Sequence, residues 1–363
     1  MEEVGLRRQF SGIYYGLNVL ITGNTGFKGA WLAYWLKKLG AKVHGFSVDI
    51  PTKPSLFELM KLDYTTLFSD VRDRSKLESS IRNIKPDIIF HLAAQSLVRK
   101  SYADPLLTYE VNAIGTLNLF EAARKCESVK AVINVTTDKV YEYSADSIGY
   151  SENDPLGGHD PYSASKACSE IISASYRNSF LPGNSFSLAT VRAGNVIGGG
   201  DWAADRLIPD LVKAASSGAV TQIRYPHAIR PWQHVLEPVS GYLLLGQKLL
   251  EGNSHFASAW NFGPDYTDCR EVERIADLSK EIWNDIRWEK DPLMSLHESP
   301  AIFLDSSKAA TELHWSPVWR LEDAVRQTIN WYKEYFVNGA DTSSIVFYNY
   351  IEDAKHKNLI WQS

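Results

Sequence analysis

The sequence predicts an α/β protein, with a doubly wound parallel sheet followed by a smaller mixed α/β lobe. Short apolar runs rich in β-branched residues alternate with segments of helical periodicity over the first half of the chain, as in βαβ units. A glycine-rich turn joins the first run to the first helix. After Gly200 the elements become shorter and Pro and Trp more frequent, which marks the lobe.

Five apolar runs predict buried strands, and a further short strand is expected before Asp70. Segments with helical periodicity lie between these strands, and the first helix is expected to end at Gly40. The strands are expected at Leu17–Thr22, Lys42–Val48, Asp87–Leu92, Val129–Val135 and Phe186–Val191, and the helices at Gly29–Leu39, Asp73–Asn83, Pro105–Lys125 and Tyr162–Arg177.

The lobe is predicted to mix helices with small strands. Its expected helices are Ala204–Ser216, Leu236–Leu250, Arg270–Trp283 and Leu321–Phe336, and its strands Thr221–Arg224, Ala259–Phe262 and Ala301–Leu304. The 363 residues suit two domains at roughly 100–200 residues each. We divide the chain into an N-terminal arm (1–16), a dinucleotide-binding domain (17–198), a substrate lobe (199–337) with some segments returning to the first domain, and a tail (338–363) whose structure the pattern does not predict.

Composition excludes several classes of protein. Apolar residues are 44% and charged residues 22% of the chain, as in an ordinary globular protein. No apolar run reaches the ~18 residues of a membrane span, and a net charge of −5 argues against a nucleic-acid partner. Cys126, Cys168 and Cys269 stand far apart and without a Cys-x-x-Cys pair, and the histidines show no ligand spacing. We expect a cytoplasmic protein without a metal site.

The turn after the first strand has the spacing Gly-x-x-Gly-x-x-Gly. Glycines here allow a tight turn and let a backbone approach a pyrophosphate at a helix N-terminus. The strand before it and the helix after it make a plain turn the weaker interpretation. The expected cofactor-binding residues of this Rossmann-type turn are Gly23, Thr25, Gly26, Phe27, Lys28 and Gly29.

Acidic residues at the ends of the next strands extend this cofactor site. Asp49 follows Gly29 by twenty residues, at the end of the second strand. A carboxylate there can bind an adenosine ribose and would repel a 2′-phosphate, so NAD is favoured over NADP. Asp70 and Val71 are expected near the adenine, and Leu92, Ala93 and Ala94 after the fourth strand complete the expected NAD site.

Tyr162 and Lys166 lie four residues apart, on one face of a predicted helix. A cation one turn away favours the phenolate, so we expect the pKa of Tyr162 to fall from ~10 toward neutral pH. Such a tyrosine could take a hydroxyl proton while hydride leaves the same carbon for NAD. Tyr-x-x-x-Lys is common by chance, but here it follows a nucleotide-binding turn.

From Leu17 to about Trp331, the sequence resembles the extended, nucleotide-sugar branch of the short-chain dehydrogenase/reductase superfamily. The matching segments include ITGNTGFKGAWL, FHLAAQS, TTDKVY, YSASK and RAGNVIGGGDW. The segments DIPTKPSLFE and IRPWQHVLEPVSGYL are more specific, and they resemble the CDP-glucose 4,6-dehydratase family. That family belongs to deoxysugar biosynthesis for O-antigens and other polysaccharides.

The resemblance implies roles for the Thr137-Asp138-Lys139 segment. Thr137 would bind the sugar oxygen at C4, Asp138 would protonate the leaving hydroxyl at C6, and Lys139 would take the C5 proton. Tyr162 and Lys166 would serve the oxidation at C4, with NAD regenerated in each turnover. Segments that hold the nucleotide sugar CDP-glucose in the family contain Asn195, Arg206, Arg230, Trp232 and His234, and Ser96 and Arg99 could line the sugar pocket.

The sequence also fits several related functions. Inverting 4,6-dehydratases also carry the Asp-Lys pair, but they typically replace the tyrosine that is present here as Tyr162. A C4 epimerase would not need the Asp138-Lys139 pair, and a non-catalytic NAD-binding scaffold would need none of these residues. Another nucleotide-hexose 4,6-dehydratase also fits, because no residue physically specifies the base. The helices Pro105–Lys125 and Tyr162–Arg177 resemble those of a four-helix interface, which implies a homodimer or a dimer of dimers.

Overall fold

The computed structural model of the chain describes residues 5–144, 149–181, 186–292 and 303–362. Its centre is a sheet of seven strands in the order β11-β6-β5-β4-β1-β2-β3, all parallel. The strands are β1 Asn18–Thr22, β2 Lys42–Ser47, β3 Thr65–Phe68, β4 Ile88–His91, β5 Ala131–Val135, β6 Ser187–Ala193, β7 Val196–Ile197, β8 Thr221–Ile223, β9 Ile229–Pro231, β10 Gln233–His234, β11 Ala259–Phe262, β12 Cys269–Glu271 and β13 Trp288–Lys290.

Helices cover both faces of the sheet, which confirms the predicted doubly wound class. The α-helices are Phe27–Lys38, Leu56–Met60, Arg74–Ile84, Val98–Ala103, Pro105–Tyr109, Gly115–Arg124, Pro161–Ser179, Leu207–Ser217, Leu236–Leu250, Val272–Ile282, Ser307–Glu312, Leu321–Asn338 and Ser343–His356. No helix within the described ranges has the length and apolar character that crossing a membrane requires.

Two expectations about the elements need correction. The strand Ala259–Phe262 does not belong to the lobe, because it pairs in parallel with β6 and forms the edge of the main sheet. The helix expected over Pro105–Lys125 is interrupted by a π-helical turn at Glu110–Ile114. The expected strand Ala301–Leu304 begins outside the described residues, and its last residue, Leu304, makes an isolated bridge to Tyr150.

The tail forms part of the core. The helix Ser343–His356 and a 3₁₀ turn at Ile360–Gln362 follow the lobe. Trp361 is buried, stacks on Phe10 at 5.5 Å between ring centroids and meets the edge of Trp35 at 5.3 Å. The N-terminal arm and the tail therefore pack against each other and against Trp35 of the first helix.

Candidate active site

The loops after β1, β4, β5 and β6 open into one cleft of about 1090 Å³. This is the carboxyl edge of the parallel sheet, where ligands bind in open α/β folds. Every residue expected to bind cofactor or substrate or to act in catalysis lines this cleft, with the exception of His234.

His234 lies in the core instead of the cleft. It is fully buried on β10, with its ring 4.9 Å from that of Trp319 and 6.1 Å from that of Trp31. Its Nδ1 accepts the backbone N–H of Leu236 at 3.3 Å, and burial lowers the pKa of the ring to about 3. Neighbouring side chains of a strand point to opposite faces, and this strand turns His234 inward.

The glycine turn has no room for side chains. Gly23 has a φ of +74°, and a Cβ there would lie 2.7 Å from the backbone nitrogen of Ala93. A Cβ on Gly29 would lie 2.2 Å from the carbonyl oxygen of Gly23. Gly26 is the N-cap of the helix Phe27–Lys38. The turn therefore presents bare backbone and a helix N-terminus, which suit the pyrophosphate of a dinucleotide.

Asn24 is a buried residue of this turn whose role the motif did not reveal. Its Nδ2 donates to Thr66 Oγ1 at 2.9 Å and to Tyr64 Oη at 3.1 Å, while its Oδ1 accepts from Ser47 Oγ at 2.9 Å. A Cβ on Gly45 would collide with the amide of Asn24 at 2.3 Å. Asn24 thus ties the turn to the ends of β2 and β3, where the adenosine part of a dinucleotide is expected.

The two acidic residues at these strand ends differ in their surroundings. Asp49 is exposed after β2, and its backbone carbonyl accepts the Thr25 hydroxyl at 2.6 Å. Asp70 instead forms an ion pair with Arg72 at 2.8 Å. Val71, next to it, packs so closely on the start of the helix Gly115–Arg124 that a Cβ on Gly115 would lie 2.7 Å from its methyl group. Asp49 therefore suits the predicted ribose contact better than Asp70.

Thr137 and Asp138 form a buried pair at the end of β5. The Thr137 hydroxyl donates to Asp138 Oδ1 at 3.0 Å. Asp138 Oδ2 is also buried and accepts no hydrogen bond within the described part of the chain. Burial raises the pKa of Asp138, against the charge of the half-buried Lys139. Asp138 is thus suited to carry a proton, as a general acid must.

Tyr162 and Lys166 lie on one face of the helix Pro161–Ser179, as the spacing predicts. The expected fall in the pKa of Tyr162 is wrong for this structure, because burial raises that pKa to about 12. A hydrogen bond with Thr137 and the charge of Arg206 act in the opposite direction. The Lys166 ammonium donates to the carbonyl of Val135 at 3.0 Å, and burial lowers its pKa to about 8.

Lys28, an expected cofactor-binding residue of the turn, makes a contact that the motif did not reveal. From the first turn of the helix Phe27–Lys38, its Nζ donates to Tyr242 Oη at 3.2 Å. Burial, together with the charges of Arg206 and Lys166, lowers its pKa to about 7, against the opposite effect of Asp138. The side chain therefore reaches from the phosphate turn toward the catalytic cluster. Tyr242, which positions it, belongs to a helix 214 residues later and has no local sequence signal.

A buried ion pair fixes the segment that carries the catalytic residues. Arg192 donates to both oxygens of Glu170, at 3.0 and 2.9 Å. Glu170 also accepts the hydroxyls of Thr136 and Thr190, and Arg192 donates to Tyr141 Oη at 2.7 Å. All four hydrogen bonds to the carboxylate come from charged or hydroxyl donors, so β6 and the end of β5 are held rigidly together.

The expected substrate residues line the lobe side of the cleft. Arg206 pairs with Asp201 at 2.6 Å, and Arg99 pairs with Asp205 at 2.8 Å across the opening. Arg230 and Trp232 are both buried. The indole N–H of Trp232 donates to the carbonyl of Arg270 at 3.0 Å, which orients the ring. Asn195 is half-buried after β6 and Ser96 is exposed after β4. The arginines bring positive charge to the place expected for a diphosphate.

Three surface residues could hold a cation. His227, Glu271 and Glu273 place ligand atoms within 4.8 Å of one another in the described part of the chain, and the histidine also approaches the glutamates as an ion pair. Exposed groups of this kind are common without an ion, so the absence of a metal stays a prediction.

Comparisons with known proteins show the family to which this chain belongs. The family described as GDP-mannose 4,6 dehydratase matches residues 20–328. The chain is 46% identical to the CDP-glucose 4,6-dehydratase of Salmonella typhimurium, over 90% of this chain and 93% of that protein. A crystallised double mutant of the dTDP-glucose 4,6-dehydratase from Streptomyces venezuelae, with NAD bound, superposes with a TM-score of 0.73 at 25% identity, covering 87% of this chain and 97% of the other. A UDP-glucose-4-epimerase from Stenotrophomonas maltophila, 21% identical over 89% of this chain and 100% of its own, shares the fold with a TM-score of 0.78.

Proposed function

The chain belongs to the GDP-mannose 4,6 dehydratase family, and on that premise we propose that it is a CDP-D-glucose 4,6-dehydratase. It converts CDP-D-glucose into CDP-4-dehydro-6-deoxy-D-glucose and water, and so serves deoxysugar biosynthesis. One observation carries the proposal: Tyr162 and the pair Asp138 and Lys139 line the same cleft, in a chain 46% identical to a CDP-glucose 4,6-dehydratase.

NAD is the cofactor that this cleft fits. The tightly packed turn at Gly23–Gly29 accepts a pyrophosphate, and the exposed Asp49 carboxylate suits the hydroxyls of an adenosine ribose. Leu92, Ala93 and Ala94 line the cleft beside the turn. When bound, NAD takes a hydride from C4 of the sugar and returns it to C6, so it is regenerated within one turnover.

Tyr162 is the base for the sugar hydroxyl at C4. In its buried position Tyr162 has a pKa of about 12, which is too high for a base that must lose its proton near neutral pH. The hydrogen bond with Thr137 and the charge of Arg206 both favour the phenolate. Thr137 also lies where its hydroxyl can bind the same sugar oxygen, and the positive charge of Lys166, one turn along the helix, favours the phenolate.

Asp138 and Lys139 perform the elimination. A ketone at C4 acidifies the proton at C5, which Lys139 removes in its neutral form. The electron pair of that C–H bond forms the C5–C6 double bond as the C6–O bond breaks. The protonated Asp138 carboxyl gives its proton to the departing hydroxyl, which leaves as water. The raised pKa of Asp138 supports its protonated state before this step.

The substrate lies with its diphosphate against Arg206 and Arg230. Guanidinium groups match phosphate oxygens in charge and in geometry. Asn195 and Trp232 line the same cleft, and the sugar lies near Ser96, in the loop after β4, and Arg99, in the helix Val98–Ala103.

The proposal extends to assembly and compartment. Exposed apolar side chains lie on the helices Pro105–Tyr109 and Pro161–Ser179, where Leu106 is 69% and Ile171 is 56% exposed. They support a homodimer with a four-helix interface, or a dimer of such dimers. Cys126, Cys168 and Cys269 are free thiols, which supports the cytoplasm as the compartment.

Incubation of the protein and NAD with CDP-glucose tests the proposed function. A dehydratase yields a 4-keto-6-deoxy sugar with a characteristic absorbance in alkali. A C4 epimerase would instead yield CDP-galactose without loss of water, and a scaffold would return the substrate unchanged. Either of these outcomes overturns the proposal.

A further inference from the structure

Beyond Arg206, the cleft continues along the helix Leu207–Ser217 to strand β8. Arg206 is the N-cap of this helix and lines the same cleft as Tyr162. Asp210 follows one turn later, and its backbone N–H donates to the carbonyl of Arg206 at 3.0 Å. The principal charges acting on Asp210 are those of Lys213, Asp205, Arg224 and Asp201, none of which belongs to the catalytic cluster. The cleft thus runs from Tyr162 past Arg206 to Asp210.

The Asp210 carboxyl is available to a ligand. It is half-buried, lines the cleft and accepts no hydrogen bond from any residue in the described ranges. Its backbone carbonyl accepts the Thr221 hydroxyl at 3.4 Å, which fixes the helix against β8. The amide of Gln222, a neighbouring group that could bind a base, donates instead to Glu289 at 2.5 Å.

A carboxylate at this position can bind only some groups of the substrate. It repels the diphosphate and, being an acceptor only, it needs a donor on the ligand. In a nucleoside beyond the diphosphate, the donors are the ribose hydroxyls and the groups of the base. At C4 the pyrimidines differ, because cytosine carries an amino group there, whereas uracil and thymine carry a carbonyl oxygen.

We propose that Asp210 selects the nucleotide of the substrate by accepting a hydrogen bond from the 4-amino group of cytosine. This inference rests on the proposed function and gives it a base-recognising residue. A carbonyl oxygen at C4 would face the carboxylate without a proton between them, so UDP- and dTDP-sugars are rejected. One such contact discriminates between bases by about 10- to 100-fold.

The variant Asp210→Asn tests the inference, because an amide can accept from the amino group of cytosine or donate to the carbonyl of uracil. The ratio of kcat/KM for CDP-glucose to that for UDP-glucose or dTDP-glucose is expected to fall by about 10- to 100-fold. Asp63→Asn is the matched control, because it makes the same chemical change at an exposed residue outside the cleft. Asp205 is unsuitable as a control, because its charge acts on Asp210. Asp63→Asn should leave that ratio unchanged.

Competition by CDP and UDP supplies a second readout, which needs no turnover. The inhibition constant of CDP should rise and that of UDP should fall in Asp210→Asn. An equal loss for all nucleotides would place Asp210 against the ribose and overturn the inference, as would an unchanged ratio. If the parent protein dehydrates none of the three sugar nucleotides, the proposed function fails, a result separate from any change in preference.

Discussion

The Thr137 hydroxyl donates to one oxygen of the Asp138 carboxyl at 3.0 Å, while the other oxygen is buried without a partner in the described part of the chain. In the proposed mechanism Thr137 links the two half-reactions, because its hydroxyl also lies within hydrogen-bond reach of Tyr162. The unpartnered oxygen of Asp138 is the one that a proton would occupy. Oxidation at C4 and elimination at C5 and C6 thus depend on adjacent but different groups, and variants should separate them.

Tyr162→Phe and Lys139→Ala should stop different steps. Tyr162→Phe removes the hydroxyl base, so no reduced nicotinamide should appear even transiently when CDP-glucose is mixed rapidly with the NAD-loaded enzyme. Lys139→Ala keeps that base, so reduced nicotinamide should accumulate while dehydration slows by about 10²- to 10⁴-fold. If Lys139→Ala dehydrates CDP-glucose at the parent rate, Lys139 is not the base at C5.

The spacing of Tyr162 and Lys166 was enough to predict their shared helix face, because α-helical geometry is local. The spacing could not predict the proton affinity of Tyr162, which depends on burial by residues distant in sequence. His234 fails for the same reason. It is close in sequence to the expected substrate residues Arg230 and Trp232, but only the packing of Trp31 and Trp319 around the ring shows that it faces the core.

The main sheet was predictable because buried parallel strands form continuous apolar runs. The tail was not, since the helix Ser343–His356 packs against the first helix through Phe347 and Tyr350. Ring contacts such as that of Trp35 with Phe347, 5.5 Å apart, are invisible to local periodicity. The reach of Lys28 to Tyr242 is another long-range contact of this kind.

Self-association should depend on Ile171. Ile171→Asp places a charge on the exposed apolar surface of the helix Pro161–Ser179, where a partner helix is expected. Light scattering at micromolar concentration should report a dimer or tetramer for the parent and a smaller species for the variant. Val337→Asp, at a position 64% exposed on the lobe, is the control and should keep the parent mass. A monomeric parent would contradict the proposed interface.

Glu237 should make the stability depend on pH. It is buried, accepts N–H groups of Val318 and Trp319 and the Tyr350 hydroxyl, and burial raises its pKa to about 7. Above pH 4.5 the Glu237 carboxyl therefore stays protonated in the folded protein but loses its proton in the unfolded chain. This difference in proton binding lowers the free energy of unfolding as the pH rises toward 7.

The side chain in Glu237→Gln cannot titrate, so this variant should not lose stability in that pH range as the parent does. The difference between the free energy of unfolding of the variant and that of the parent should therefore increase from pH 4.5 to pH 7, by up to about 3 kcal/mol. Urea unfolding at both pH values measures this difference. A difference that stays constant, or that decreases as the pH rises, would show that Glu237 is ionised in the folded protein.

Trp361→Ala should destabilise the whole fold. The indole is buried against Phe10, Trp35 and Tyr350, and removing such a side chain costs about 3–5 kcal/mol. Ile360→Ala, at a neighbouring position that is 42% exposed, should cost less than about 1 kcal/mol. Denaturant unfolding compares the two variants, and equal small losses would mean that the tail does not contribute to the core.

The central claim is that one cleft oxidises the sugar at C4, eliminates water and returns the same hydride to C6. CDP-glucose carrying deuterium at C4 tests it most directly, with the product analysed by mass spectrometry and NMR. The account predicts a 4-keto-6-deoxy product that has lost one water and carries the deuterium at C6, without net formation of NADH. Loss of the deuterium to solvent, or a product that retains all its oxygens, would contradict the account.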